Sequence, residues 1–263
     1  MHYAKVKREK VGRCNICLEE GLLSWDHVPP QGSFDPAPTE IRTVFQVLTA
    51  REPVKGSTRD SQNGVKFRTI CKPCNEKLGQ EVDPTLIDFT TQLGRFLTSR
   101  LELPPVITIQ TKPNRLLRAV LAHLVSAKAE LDDALFDSTV RPSCRSLETP
   151  IPDGIFVFYW VYPHPEQVVL RDVGMPAKRG VFNDVMFCHL LKFFPIAFLV
   201  SDASAYEGLP DLSRYKDSGP DEIAEVRIDL RDIRPRGWPE TPDRGNILFG
   251  GQAMASSIVG IRR

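Results

Sequence analysis

The sequence predicts an α+β chain in two parts: a small metal-stabilised strand–strand–helix module over residues 1–80, then a helix-plus-antiparallel-sheet domain over 81–263. Three observations carry this reading. Two C-x-x-C pairs, Cys14/Cys17 and Cys71/Cys74, bracket the first part. Two stretches after Gly79 repeat apolar residues at helical spacing, and from Ile155 onward short aromatic and β-branched runs are separated by turn residues.

Within the first part, each C-x-x-C turn aims two thiolates at one point. Two such turns supply the four sulfurs of a tetrahedral structural zinc site, so Cys14, Cys17, Cys71 and Cys74 are the expected Zn²⁺ ligands. Residues 22–28 read as a strand that carries Asp26-His27, residues 65–70 as a second strand leading into Cys71, and Asn75-Glu76-Lys77-Leu78 as the opening of a helix. The connection between the strands, about thirty-five residues, is too long to be structureless in a compact domain. Thr39 followed by Ile41, Val44, Phe45 and Leu48 has helical spacing, with Thr39 as the cap. Residues 56–64 read as a surface excursion; Arg51, Lys55 and Arg59 could touch the backbone of a nucleic acid, while for each alone a plain solvent-facing loop is the favoured reading.

In the second part, Asp83-Pro84 reads as a capped helix start, followed by Leu86, Phe89, Leu93, Phe96, Leu97 and Leu101 on one face. Residues 106–110 form a short strand, and Asn114 caps a second helix in which His123 reads as structural. Strands are expected at 155–162, 167–173, 181–191, 196–200 and 225–230, with Cys188-His189 in a core strand. The Pro-, Gly- and Arg-rich tail from Arg231 reads as surface wrapping.

Cys14-x-x-Cys17, then Asp26-His27-Val28-Pro29-Pro30, then Cys71-x-x-Cys74-Asn75 together resemble the four-cysteine branch of the HNH endonucleases, whose fold is the ββα-metal unit. The resemblance spans roughly residues 10–80, with three separate motifs in the family's order. It implies a structural zinc on the cysteines, His27 as general base, and Asp26 with Asn75 holding a catalytic divalent cation, Mg²⁺ or Mn²⁺, against a DNA phosphate. Elementary chemistry agrees: hydrolysing a phosphodiester needs an activated water and a cation at the departing oxygen, and hard cations prefer oxygen ligands. One departure is Lys66, which stands where many family members have an asparagine that orients the histidine. A backbone carbonyl or Asn63 would have to orient His27 instead. Lys66 is also the best support for the alternative, a non-catalytic zinc-stabilised module (a degenerate HNH fold) that binds nucleic acid or protein.

Composition permits these readings without choosing among them. The 41% hydrophobic and 25% charged content is that of an ordinary globular chain, and no apolar run reaches membrane-spanning length. A polar, basic start without a leader, and Cys144 and Cys188 as reduced thiols, point to the cytoplasm. Residues 1–80 hold 13 Lys and Arg against 9 Asp and Glu, while the remainder is slightly acidic, so any anionic partner is expected at the N-terminal part. There Lys5, Lys7, Arg8, Lys10 and Arg13 form a basic arm. Residues 81–263 carry no phosphate-binding glycine loop or serine nucleophile motif, which leaves target recognition, regulation, a partner protein or self-association as their role. Recognition or regulation is favoured, and a nuclease restrained by a sensing domain would suit bacterial defence.

Overall fold

Two strands, β1 (Val11–Arg13) and β2 (Glu20–His27), are joined by the turn that holds the first cysteine pair. The next segment corrects one expectation. Residues 39–43 are a strand, β3, because Thr39, Ile41 and Thr43 alternate inward, and only then does helix α1 (Val44–Leu48) begin. Its cap is Thr43, paired reciprocally with Gln46 in a capping box, rather than Thr39. β4 (Arg59–Ser61) runs back along β3. β5 (Lys66–Cys71) pairs antiparallel with β2 and passes directly into α2 (Lys72–Glu81), so β1, β2 and β5 form a three-stranded sheet. This computed structural model describes residues 4–49, 58–178, 181–204, 208–241, 249–251 and 253–263, without the side chains of 175–178, 181–185 and 249; Arg51 and Lys55 lie outside the described residues.

α3 (Asp83–Leu97) follows after Val82; Asp83 is its first residue and not its cap. β6 (Val106–Thr111) leads to α4 (Pro113–Ser126), in which Asn114 is internal and bonds the carbonyl of Lys216 instead of capping. α5 (Leu135–Arg145) was not expected; Pro142 within it interrupts the sequence pattern. β7 (Phe156–Val161), β8 (Gln167–Lys178), β9 (Val181–Phe193) and β10 (Ile196–Ser201) are the expected antiparallel strands, and β11 (Ala224–Asp229) pairs with β6 as a separate ribbon. β12 (Phe249–Gly250) edges β8.

The last strand, β13 (Ile258–Arg262), corrects the view of the tail as surface wrapping. It lies between β3 and β8 in a sheet ordered β4-β3-β13-β8-β9-β10-β7. Its β-branched residues suit an interior strand, and Gly260 permits the close approach: a Cβ there would lie 2.7 Å from a Val65 methyl and 3.0 Å from Thr39. Strands from residues 39–61 therefore share a sheet with the chain's last strand. One buried apolar cluster runs from Val6, Cys14 and Phe67 through Leu86 and Leu117 to Val157 and Ile258.

At its centre lies α4, buried along its whole length from Leu116 to Ser126. A helix buried all round must satisfy its polar residues internally, and here these include Arg118, His123 and Ser126. The result is a mixed α+β chain. Among the described residues, no helix is long and apolar enough to cross a membrane.

Candidate metal centre

The four sulfurs of Cys14, Cys17, Cys71 and Cys74 lie within 4.8 Å of one another, and none is in a disulfide. A tetrahedron with Zn–S bonds of about 2.3 Å places its sulfurs roughly 3.8 Å apart; Cys17 and Cys71 are 3.7 Å apart. The backbone N–H groups of Ile16 and Cys71 point at Cys14 Sγ, at 3.4 and 3.3 Å. A hydrogen bond from Cys74 and these backbone donors, against the opposing effect of burial, pull the Cys14 thiol below the ordinary thiol value. The donor set fits zinc, and it ties the β1–β2 turn to the start of α2.

The β2–β5 register slips between Ser24 and Trp25, which changes which residues face inward. Leu23 and Asp26 are buried, while Trp25 and His27 face outward. Asp26 is 4% exposed and meets α4: Ser126 Oγ donates to its Oδ2 at 2.7 Å, and His123 Nδ1 stands 3.7 Å from the same oxygen. The other ring nitrogen of His123 is 2.9 Å from Asp83 Oδ1. Burial opposes charge on His123, but Asp83 and Asp26 outweigh it and raise its pKa to about 10. His123 is thus a buried cation between two carboxylates. Both contacts fall on Oδ2; among the described residues Oδ1 of Asp26 accepts no hydrogen bond.

His27 is half-buried opposite Lys66 and tilted against Phe34, with ring centroids 6.4 Å apart. Its Nε2 is buried without a hydrogen-bond partner among the described residues. Burial, with Lys66 adding to it, holds its pKa below the ordinary histidine value, which leaves the ring neutral. Among the described residues neither Asn63 nor a backbone carbonyl hydrogen-bonds the His27 ring, and Phe34 is its aromatic neighbour. Asn75, in the first turn of α2, donates from Nδ2 to the Trp25 carbonyl at 2.9 Å and to Ser24 Oγ at 3.2 Å. A carbonyl only accepts, so this contact fixes the amide's orientation and leaves Oδ1 as the free end. The helix asparagine is therefore anchored to the residue that precedes Asp26.

Beside them, Trp25 is 36% exposed, and the charged ends of Arg59, Arg68 and Lys66 lie 5.3, 5.4 and 5.8 Å from its ring centroid. This group shares the outward face of β2 with His27. The basic arm is partly committed elsewhere: Arg8 donates to the carbonyls of Lys128, Ala129 and Glu130, and Arg13 to that of Leu131. His123, expected to be structural, is buried between two carboxylates, while its contact with Asp26 and that of Ser126 were not expected. The available signal was a helix otherwise apolar on every face that still carries Asn, Arg, His and Ser. No family model matches the chain, and neither a curated protein nor a solved structure does.

Proposed function

We infer that this protein is a metal-dependent endonuclease that hydrolyses phosphodiester bonds of DNA. One observation carries the reading: within a single strand–strand–helix unit joined by four clustered cysteines, Asp26 and His27 lie side by side on β2 while Asn75 is hydrogen-bonded to the backbone just before them. Asp26 Oδ1 and Asn75 Oδ1 are hard oxygen donors that suit Mg²⁺ or Mn²⁺. When bound, that cation neutralises charge developing on the phosphate and on the leaving oxygen. His27, held neutral by its surroundings, takes the proton of the attacking water. His123 and Ser126 hold the Asp26 carboxylate in place from behind. Trp25 with Arg59, Lys66 and Arg68 offers a cationic, aromatic face for the nucleic-acid backbone and bases.

A second reading, the non-catalytic zinc-stabilised binding module, is favoured by the lack, among the described residues, of a hydrogen-bonded orienting partner on His27. The two separate in one experiment on zinc-loaded protein. Supercoiled plasmid is incubated with Mg²⁺ or Mn²⁺, and DNA binding is followed in parallel by band shift. The nuclease reading expects nicking that His27→Ala removes without loss of zinc or of band shift. Binding without nicking in the wild type would leave only the second reading.

A further inference from the structure

A cavity of about 510 Å³ lies between the start of α5 and strands β8, β9 and β10, away from the cysteine cluster. Pockets of this size hold small organic ligands. His189 of β9, 3% exposed, lines it and rests on Phe136, with ring centroids 4.0 Å apart. Its Nδ1 accepts the backbone N–H of Asp172 at 3.0 Å and Nε of Arg171 at 3.3 Å. A ring nitrogen that accepts two donors carries no proton, so the proton sits on Nε2. Nε2 has no hydrogen-bond partner among the described residues, which leaves its N–H as the free donor of a ring that lines the cavity. Burial beside Arg171 keeps the ring neutral.

The remaining walls define what would bind there. Asp172 adopts a left-handed backbone (φ 51°) where the β8–β9 register shifts, and Ala253 N–H holds its Oδ2 at 3.3 Å. Asp202 at the rim accepts the Phe187 N–H through Oδ1. Among the described residues, one oxygen of each carboxylate accepts no hydrogen bond. Among the described residues the lining holds neither lysine nor arginine; Asp153 is ion-paired with Lys216, while Asp172 and Asp202 keep their charge towards the cavity, which disfavours phosphates and other anions. Phe136 and Phe187 supply apolar surface for a flat ring.

We propose that this cavity is a binding site for a small aromatic amine, with the ring against Phe136, an acceptor atom on His189 Nε2–H and the cationic nitrogen on Asp172 and Asp202. The assignment does not rest on the endonuclease reading.

Tyramine carries all three features, and 4-hydroxyphenylacetate is nearly its charge-reversed counterpart. Both are titrated onto the full zinc-loaded chain by ligand-observed NMR. Tyramine is expected to saturate in the millimolar range or tighter, with the anion at least about tenfold weaker. Asp202→Asn, at an exposed position, weakens tyramine by about threefold or more with an unchanged melting temperature. Asp172→Asn does the same, since asparagine tolerates the left-handed backbone. No saturation by about 10 mM, equal binding of amine and anion, or indifference to Asp202→Asn would each overturn the assignment.

Discussion

Asp137 anchors the scaffold behind the candidate site, and replacing it with asparagine tests that scaffold quantitatively. Its carboxylate takes Arg171 Nη2 at 2.6 Å, Lys128 Nζ at 2.7 Å and the Ala134 N–H at 3.0 Å. All three side chains in the ion cluster are fully buried. Arg171 also donates to the carbonyl of Leu124, next to His123, so the cluster fixes the end of α4 that meets Asp26. Burial alone would raise the Asp137 pKa, but Arg171 and Lys128 outweigh it and hold it at about 2. Relative to an ordinary aspartate this corresponds to about 2.5 kcal/mol of charge-dependent stabilisation.

Asp137→Asn keeps the side chain's shape, leaves buried Arg171 facing a neutral amide and leaves Lys128 with Asp133 alone, which should cost about 3–5 kcal/mol. For a chain of this size that is a fall of roughly 6–20 °C in melting temperature. Because the folded-state pKa lies below the unfolded one, the contribution is complete above about pH 4 and lost as pH falls towards 2. Urea unfolding of wild type and variant, followed by circular dichroism, should show a stability gap at pH 7 that narrows across that acid window. Zinc ligation weakens equally in both chains as thiols protonate, so the difference isolates Asp137. A gap below about 1 kcal/mol at neutral pH, or one that widens in acid, would refute the reasoning.

Two further outcomes follow from the metal unit. Cys74→Ser should lose zinc and unfold residues 10–80, since such sites contribute roughly 10–16 kcal/mol against a net protein stability of about 5–15; zinc content and hydrogen exchange in β2 and α2 measure this, and a variant that keeps zinc and activity contradicts it. Lys66→Ala should weaken DNA binding and lower the salt slope of log K by about 1, without moving the melting temperature; an unchanged slope would remove Lys66 from the interface.

The parts of the site legible in the sequence are those set by local spacing. Cys14/Cys17 and Cys71/Cys74 declare a shared sulfur cluster because a C-x-x-C turn fixes thiol geometry within four residues. Asp26, His27 and Asn75 were singled out by the resemblance that these motifs carry, and the structure adds that Asn75 bonds the carbonyl of Trp25, next to Asp26. The contacts of His123 and Ser126 with Asp26 were not legible, because they cross about a hundred residues of chain, and nothing local to α4 names a partner on β2. The same applies to β13. Ile258-Val259-Gly260-Ile261 is too short and too glycine-marked to stand out from a polar tail, and its place between β3 and β8 is decided by tertiary packing. Residues 39–43 satisfied both a helical and an alternating pattern, and three β-branched or threonine side chains facing the core settled it as a strand.

The most direct measurement is Mn²⁺ binding to the zinc-loaded chain by electron paramagnetic resonance. The account predicts one Mn²⁺ per chain, lost in Asn75→Ala and in Asp26→Asn while the zinc content stays at one. Zinc-loaded wild type that binds no Mn²⁺, or Mn²⁺ binding that survives both substitutions, would contradict it.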